Sequence, residues 1–142
     1  MTNHPFLAGQ FVWCSYPKWE HPLDPGPRHV GYILAAFARA GSPVAMVAYT
    51  TSRRWPGTVP LAVYPITAEE AAPMGQAKAF VIDARRIAFI PVTEIWFPDL
   101  THPNRGCVGG APHQLRARIQ ADMERLFKRS PANLERLGNL WQ

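Results

Sequence analysis

The apolar positions of the chain fall into short segments that are separated by prolines, glycines and charged residues. Segments rich in β-branched and aromatic residues, and closed by proline or a turn sequence, predict β-strands. The 15 prolines argue against a helical bundle or repeated βαβ units, because proline breaks helices and cannot donate a ladder hydrogen bond. The predicted strands are Gln10–Tyr16, Val30–Phe37, Val44–Tyr49, the short edge strand Leu61–Tyr64, Ala79–Asp83 and Ile87–Ile90.

Helical signals are few and lie mostly near the C-terminus. Apolar residues at i, i+4, i+8, i+11 and i+12 form one stripe along His113–Arg129, which predicts an amphipathic helix that ends before Pro131. The Thr-x-x-Glu spacing of Thr67–Glu70 is typical of a capping box and predicts one helical turn. A last short helix is predicted at Asn133–Trp141, packed either on the chain's own core or on a second subunit.

These elements predict a mainly β fold of the β+α kind, a small curved sheet or β-barrel of about five to seven strands with a C-terminal α-helix. A chain of 142 residues is long enough for one modest core, so residues 1–142 are predicted to be a single domain. The barrel would span about residues 9–97, and the helical part about residues 113–142. No internal repeat, low-complexity stretch or long linker divides the sequence.

The charge of the chain favours acidic partners. A net charge of +5 and a pI near 9.7 make nucleic acid the first candidate and an anionic membrane surface the second. No run of about 18 apolar residues predicts a spanning helix, and Met1–Gly9 lacks the pattern of a secretion signal. We therefore expect a cytoplasmic protein with Cys14 and Cys107 reduced, without a metal site or a cofactor.

Three polar groups at the ends of predicted strands are candidates for phosphate chemistry. Arg28 follows Pro-Gly-Pro, which would fix the approach of its guanidinium for a bidentate phosphate contact. Thr51 and Ser52 follow a buried strand, where hydroxyl groups can bind a phosphate or orient a ribose. Asp83 follows another strand and could accept a proton. Each has a structural alternative: a surface arginine, ordinary turn residues and an ion-paired carboxylate.

Basic and aromatic residues near these positions suit single-stranded nucleic acid, in which bases stack on rings and phosphates pair with arginine. Arg53 and Arg54 precede Trp55 in one predicted loop, and Arg85 and Arg86 follow the candidate aspartate. We predict that these five residues bind RNA. The alternatives are a solvated loop with its tryptophan folded back, and a structural ion pair between the aspartate and an arginine.

In order and content, these motifs resemble the MazF/PemK-like toxin family, and within it a longer PemK-like subgroup. That subgroup typically reads Gly-x-Val-Val-Trp-Cys-x-Phe-Pro, Pro-Gly-Pro-Lys-x-Arg-Pro, Ala-Tyr-Gly-Thr-Ser and Thr-Arg-Phe-Asp-Leu, followed by Leu-Pro and Trp-Phe. The resemblance spans about residues 9–97. The matching segments are GQFVWCSYP at Gly9–Pro17, PGPR at Pro25–Arg28, AYTTS at Ala48–Ser52, FVIDARRIAFIP at Phe80–Pro91, and Trp96-Phe97.

The resemblance implies a compact SH3-like β-barrel with helices, usually a homodimer, and an antitoxin protein as a partner. It also implies metal-independent cleavage of single-stranded RNA, in which a ribose 2′-hydroxyl attacks the adjacent phosphate and leaves a cyclic phosphate and a 5′-hydroxyl. By motif match, Arg28 would act on the phosphate, and Thr51 and Ser52 would position the substrate. Asp83 would take part in proton transfer.

Three positions differ from the family pattern. Val81 stands where the family has an arginine, which Arg85 or Arg86 could replace only if the loop bends back. His29 replaces a proline and adds a group that exchanges protons near neutral pH, and Thr50 replaces a glycine. These differences give a second hypothesis, a catalytically degenerate barrel that binds nucleic acid or protein without cutting. A third is a phage or mobile-element protein that keeps the toxin scaffold for interaction alone.

Overall fold

The computed structural model describes residues 4–18, 20–21, 23–129 and 135–139. Strands predominate, and the main helix follows the last strand of the antiparallel sheet. The elements in chain order are β1 (Gln10–Pro17), β2 (Pro25–Arg39), β3 (Ser42–Thr51), β4 (Val63–Ile66), α1 (Ala68–Ala71), a 3₁₀ turn (Ala72–Met74), β5 (Phe80–Pro91), β6 (Cys107–Gly110), α2 (His113–Arg129) and β7 (Glu135–Asn139).

The strands form one sheet whose hydrogen-bonded path runs β4-β5-β3-β2-β1-β6. Every pairing along this path is antiparallel, and β7 joins β5 in parallel. Among the described residues the path is open, with β4 at one end and β6 at the other. The predicted mainly β fold with a helix near the C-terminus is confirmed at this level.

Successive side chains of a strand point to opposite faces of the sheet, and each face packs in its own hydrophobic core. Phe11 packs in one core with Tyr32 and Ile82, whereas its neighbour Val12 packs in the other with Ile33. Helix α2 covers the first core, and the segment that contains Trp96 and Phe97 belongs to the second. Burial of each large apolar side chain stabilises the fold by about 1.5–3 kcal/mol. The α2 residues that contribute are Ile119, Met123 and Leu126.

Local patterns predict several elements well. The helix predicted at His113–Arg129 has those bounds, and the strands predicted first, second and third lie within β1, β2 and β3. The capping box is present: the Thr67 hydroxyl accepts from the Glu70 N–H over 3.1 Å, and the Glu70 carboxylate accepts from the Thr67 N–H over 3.0 Å. The bond from the Thr67 backbone N–H lowers the pKa of the Glu70 carboxyl group, because it favours the ionised carboxylate.

Four predicted elements differ from the structure. The short edge strand begins at Val63, two residues later than predicted, and β6 lies at Cys107–Gly110, where no strand is predicted. The two strands predicted at residues 79–83 and 87–90 are one strand, β5, with a bulge at Ala84–Arg86. The helix predicted at residues 133–141 is wrong, because residues 135–139 form β7 beside the second half of β5. Its other residues lie outside the described part of the chain.

The correction at β7 has a physical reason. The second half of β5 pairs with β3 on one side, so its other edge offers backbone donors and acceptors to any neighbouring segment. Gly138 is an unfavourable residue for a helix interior, at a cost of about 1 kcal/mol relative to alanine. A ladder partner and a weak helix former together favour the strand.

Cys14 is fully buried in the second core, as a small apolar residue would be. Burial raises the pKa of its thiol to about 12, so the thiol stays protonated at neutral pH. Both cysteines are free, and Cys107 is half-buried. No helix within the described ranges is both long enough and apolar enough to cross a membrane.

Candidate functional site

Residues of β1, β2 and β3 meet the segment before β5 at a groove with a volume of about 480 Å³. Four of the predicted site residues line it: Arg28 and His29 from β2, and Thr51 and Ser52 from the end of β3. The rest of the lining comes from the segment 75–80, from one residue each of β1 and β6, and from Val30 and Thr50. The fold therefore brings two of the predicted motifs to one place.

The groove opens where β2 and β3 stop pairing. Their regular ladder ends at Tyr32 and Ala48, and side chains bridge the strands beyond it. The buried Thr50 hydroxyl donates to the Val30 carbonyl over 2.6 Å, and His29 Nε2 is hydrogen-bonded to the Thr50 carbonyl. Because a carbonyl only accepts, we assign the ring hydrogen to Nε2, which leaves Nδ1 as the acceptor of the neutral ring. These bonds satisfy polar groups that the missing ladder would leave unpaired.

Arg28 is held from two sides at the mouth of the groove. Its guanidinium lies 4.8 Å from the ring centre of Trp13, a cation–π contact. Its Nη2 forms an ion pair with the carboxylate of Asp99, which is only 11% exposed, whereas the Arg28 side chain is 52% exposed. His102 Nδ1 lies 3.9 Å from the same carboxylate. Arg28, the residue predicted to bind phosphate, is thus accessible but already forms an ion pair with a carboxylate.

A column of rings supports His29. Its imidazole stacks on Tyr49, with ring centres 5.1 Å apart and planes inclined by 9°. The Arg86 guanidinium lies 4.2 Å from the centre of the same tyrosine ring. Tyr16 donates from its hydroxyl to the Arg86 carbonyl over 3.1 Å and packs edge-on against Tyr49. Arg86 does not line the groove, but it contacts the ring of Tyr49, on which His29 stacks.

The predicted RNA-binding loop lies next to the groove but contributes none of its lining. Arg53 and Arg54 are exposed, and the Arg53 N–H donates to the Thr51 hydroxyl over 3.1 Å. Trp55 is half-buried and donates from Nε1 to the Thr58 carbonyl over 3.2 Å. The Arg85 guanidinium lies 5.1 Å from its ring centre, so this loop is attached to the bulge in β5.

Asp83 does not line the groove. It is buried opposite Tyr49, at the start of the bulge where Ala84–Arg86 have no partner on β3. Its carboxylate accepts from the Arg85 backbone N–H and Nε over 3.1 Å each, and from Nη2 over 3.2 Å. The carboxylate thus pairs with the Arg85 backbone N–H, which has no ladder partner on β3 because of the bulge. Asp83 is therefore an ion-paired carboxylate, which is the structural alternative to the predicted proton acceptor.

Replacement of Asp83 by alanine is expected to lower the free energy of unfolding by about 2–3 kcal/mol, because it leaves buried donors of the bulge without an acceptor. Urea unfolding measures the difference, with Asp24→Ala at an exposed position as the control. Asp83→Asn keeps one acceptor and should lose less. Equal stability of the Asp83→Ala and Asp24→Ala variants would contradict a structural role for the carboxylate.

Sequence reasoning missed three residues of this region. Asp99 is 71 positions from Arg28, and no local pattern joins them. Gln76 and Lys78 line the groove from the segment between the 3₁₀ turn and β5. Two polar residues that alternate with alanines after Gly75 give no sequence signal beyond that of an ordinary loop. Among the described residues that line the groove, none is an aspartate or a glutamate, so the lining is cationic.

A second groove of about 420 Å³ lies between the sheet and α2 and shares no lining residue with the first. Its lining is mostly apolar, with Leu34, Met46 and Met123 among its members. Burial raises the pKa of Tyr32, which also lines it, to about 12. None of the predicted site residues lies here, so the candidate chemistry belongs to the groove beside Arg28.

The described ranges contain no group of three or more histidine, cysteine, aspartate or glutamate side chains arranged to hold a metal ion. The candidate site is thus defined by its guanidinium, imidazole, hydroxyl, amide and ammonium groups. In comparisons with known proteins, no protein-family model and no curated protein matches the chain.

Proposed function

We propose that this protein is a metal-independent endoribonuclease that cleaves single-stranded RNA in the manner of the MazF/PemK-like toxins. The observation that carries the proposal is the convergence of Arg28, His29, Thr51 and Ser52 on one groove whose described lining has no carboxylate. A cationic, hydroxyl-lined groove of this kind attracts a phosphodiester and supplies the groups that its cleavage requires.

The reaction is an attack of a ribose 2′-oxygen on the adjacent phosphorus. His29 accepts the 2′-hydroxyl proton at Nδ1 as the new P–O bond forms. The P–O5′ bond then breaks, the 5′-oxygen takes up a proton from water, and His29 returns its proton to the solvent, which leaves a 2′,3′-cyclic phosphate and a 5′-hydroxyl. Thr51 and Ser52 donate hydrogen bonds to the sugar-phosphate backbone, and Lys78 adds a second positive charge to the groove. General acid–base catalysis of this kind contributes about 10²- to 10⁴-fold to a rate.

Arg28 stabilises the negative charge that develops on the phosphate oxygens. Asp99 engages Nη2 alone, so Nη1 and Nε of the guanidinium are left to contact a phosphate. The Trp13 ring beneath the guanidinium limits its rotation, which lowers the entropy lost on binding. Arg28 would thus be positioned before the substrate arrives.

The proposal includes the wider expectations of the resemblance: an SH3-like barrel, a homodimer, an antitoxin partner and a cytoplasmic location. The open antiparallel path with cores on both faces is compatible with a curved sheet that approaches a barrel. The exposed Arg53 and Arg54 beside the groove would extend the RNA-binding surface. Arg85 and Arg86 support this surface through Trp55 and Tyr49.

A second candidate function is RNA binding without cleavage. Two observations favour it. The Asp83 carboxylate already accepts hydrogen bonds from Arg85 in the bulge, and Val81 stands in β5 at the position of the family's arginine. On this alternative the groove retains its cations and hydroxyls but lacks a complete set of proton-transfer groups. Such a protein would bind single-stranded RNA with an affinity that falls steeply as salt rises.

The test is incubation of the purified protein with a long single-stranded RNA in the presence of EDTA. We expect discrete fragments that carry 2′,3′-cyclic phosphate and 5′-hydroxyl ends. Intact RNA that is retarded on a native gel would support the binding function instead. RNA that is neither cut nor bound at low salt would contradict both.

A further inference from the structure

The groove between the sheet and α2 contains a tyrosine whose hydroxyl has no protein partner. Tyr32 lines this groove and is only 2% exposed. Its ring is held on β2 opposite Phe11, with the two ring centres 5.2 Å apart. The hydroxyl forms no hydrogen bond with any residue in the described part of the chain. The oxygen is not fully buried, so a molecule in the groove can reach it.

Arg116 on α2 brings a positive charge to the same groove. Its side chain packs on Gly9 so closely that an added Cβ there would lie 2.1 Å from Arg116 Cδ. This contact holds the apolar stem, while the guanidinium remains exposed. Within the described ranges, Arg116 has no carboxylate partner. Burial raises the pKa of Tyr32 and the Arg116 charge opposes this rise, so the two groups lie within electrostatic range of each other.

The rest of the groove gives it a direction. Arg116, Gln120 and Glu124 follow one another at i, i+4 and i+8 along one side of α2. Glu124 therefore lies about 12 Å from Arg116 along the helix axis. The lining includes apolar side chains from both the sheet and the helix, namely Leu34, Met46, Ile119 and Met123. The groove thus has a cationic end, an apolar wall and an acidic residue at the far end.

A carboxylate attached to a flexible apolar chain matches this arrangement. A guanidinium and a hydroxyl are strong donors to a carboxylate, and the apolar wall would remove the chain from water. Glu124 would repel an anion at the far end, so the carboxylate is directed to Arg116. A phosphate monoester carries a charge of about −1.5 to −2, more than one guanidinium balances. A neutral chain would leave both the charge and the hydroxyl unused.

We propose that the groove between the sheet and α2 binds a medium-chain fatty acid. Arg116 and Tyr32 hold its carboxylate, and its chain lies along the apolar wall toward Met123. This site shares no lining residue with the groove beside Arg28, so the inference does not rest on the proposed function.

The experiment titrates hexanoate, octanoate and decanoate into the full-length protein by calorimetry. We expect the affinity to rise about fourfold for each added methylene, because each is buried against the apolar wall. Arg116→Met keeps an apolar stem on Gly9 and removes the charge, and it should weaken octanoate binding about tenfold. Tyr32→Phe removes only the hydroxyl and should cost about two- to tenfold. Arg125→Met, at an exposed arginine of α2 outside the groove, is the matched control.

Octanol separates the contribution of the carboxylate from that of the chain. It should bind the wild type about tenfold more weakly than octanoate does, and it should bind Arg116→Met as it binds the wild type. Failure of all three acids to bind the wild type would overturn the inference, and this is the result expected if a second copy of the chain covers the groove. Equal octanoate affinities of the wild type, Arg116→Met and Tyr32→Phe would also overturn it, as would an affinity that does not rise with chain length.

Discussion

Replacement of Arg28 by alanine is expected to slow RNA cleavage by about 100- to 1,000-fold. Removal of one fixed hydrogen-bond donor that stabilises the charge of a transition state typically slows an enzyme by this factor. The guanidinium is the group of the groove best placed for this role, because Trp13 and Asp99 hold it at the groove mouth. Single-turnover cleavage of a labelled RNA measures the effect. Arg39→Ala, at the other end of the same strand, is the control.

The ion pair with Asp99 requires a second comparison. Arg28→Ala leaves a nearly buried carboxylate beside the groove, and this charge alone would repel a phosphate. The double variant Arg28→Ala/Asp99→Asn removes that charge. Cleavage should remain slow in the double variant, whereas Asp99→Asn alone should bind RNA more tightly because it frees Nη2. Recovery of cleavage in the double variant would contradict a direct role for Arg28.

Replacement of Gly75 by alanine is expected to reduce the free energy of unfolding by about 3 kcal/mol or more. A left-handed residue with a Cβ costs about 1–2 kcal/mol. The new Cβ would also lie 1.8 Å from the Val108 carbonyl oxygen and 2.8 Å from its carbon, which is backbone and cannot rotate away. Urea unfolding followed by circular dichroism measures the loss.

Gly41 separates the two contributions. It has a φ of 81°, close to that of Gly75, but a Cβ there would meet no atom within 4 Å. Gly41→Ala should therefore cost only the about 1–2 kcal/mol of a left-handed alanine, without the steric contact. If both variants lost the same stability, the contact between the turn and β6 would not be the source of the effect. A larger loss at Gly75 assigns the difference to that contact.

Helices and strands whose pattern is complete within a few residues could be predicted from the sequence. Strands that depend on pairing with a distant segment could not. The stripe of α2 and the Thr67–Glu70 capping box are complete within a few residues, so their patterns were sufficient. Strand β6 has four residues, two of them glycines, and exists because β1 offers a partner. Strand β7 and the joining of β5 across its bulge likewise depend on pairing with distant segments.

The same limit applies to the site. Arg28 and Thr51 lie on strands that pair as a hairpin, so their arrival at one groove could be predicted from local order. The role of Asp83 could not, because its hydrogen bonds with Arg85 depend on the bulge that follows it in β5. The contact of Arg28 with Asp99 closes a long loop and has no local signal.

The span of the groove lining along the chain determines when the groove can form during translation. Its lining extends from Trp13 to Val108, so a growing polypeptide does not possess it until both residues have left the ribosome. At about 5–20 residues per second, that delay lasts several seconds. An RNA-cutting protein with this arrangement gains its activity only after the whole segment from Trp13 to Val108 has been synthesised and has folded.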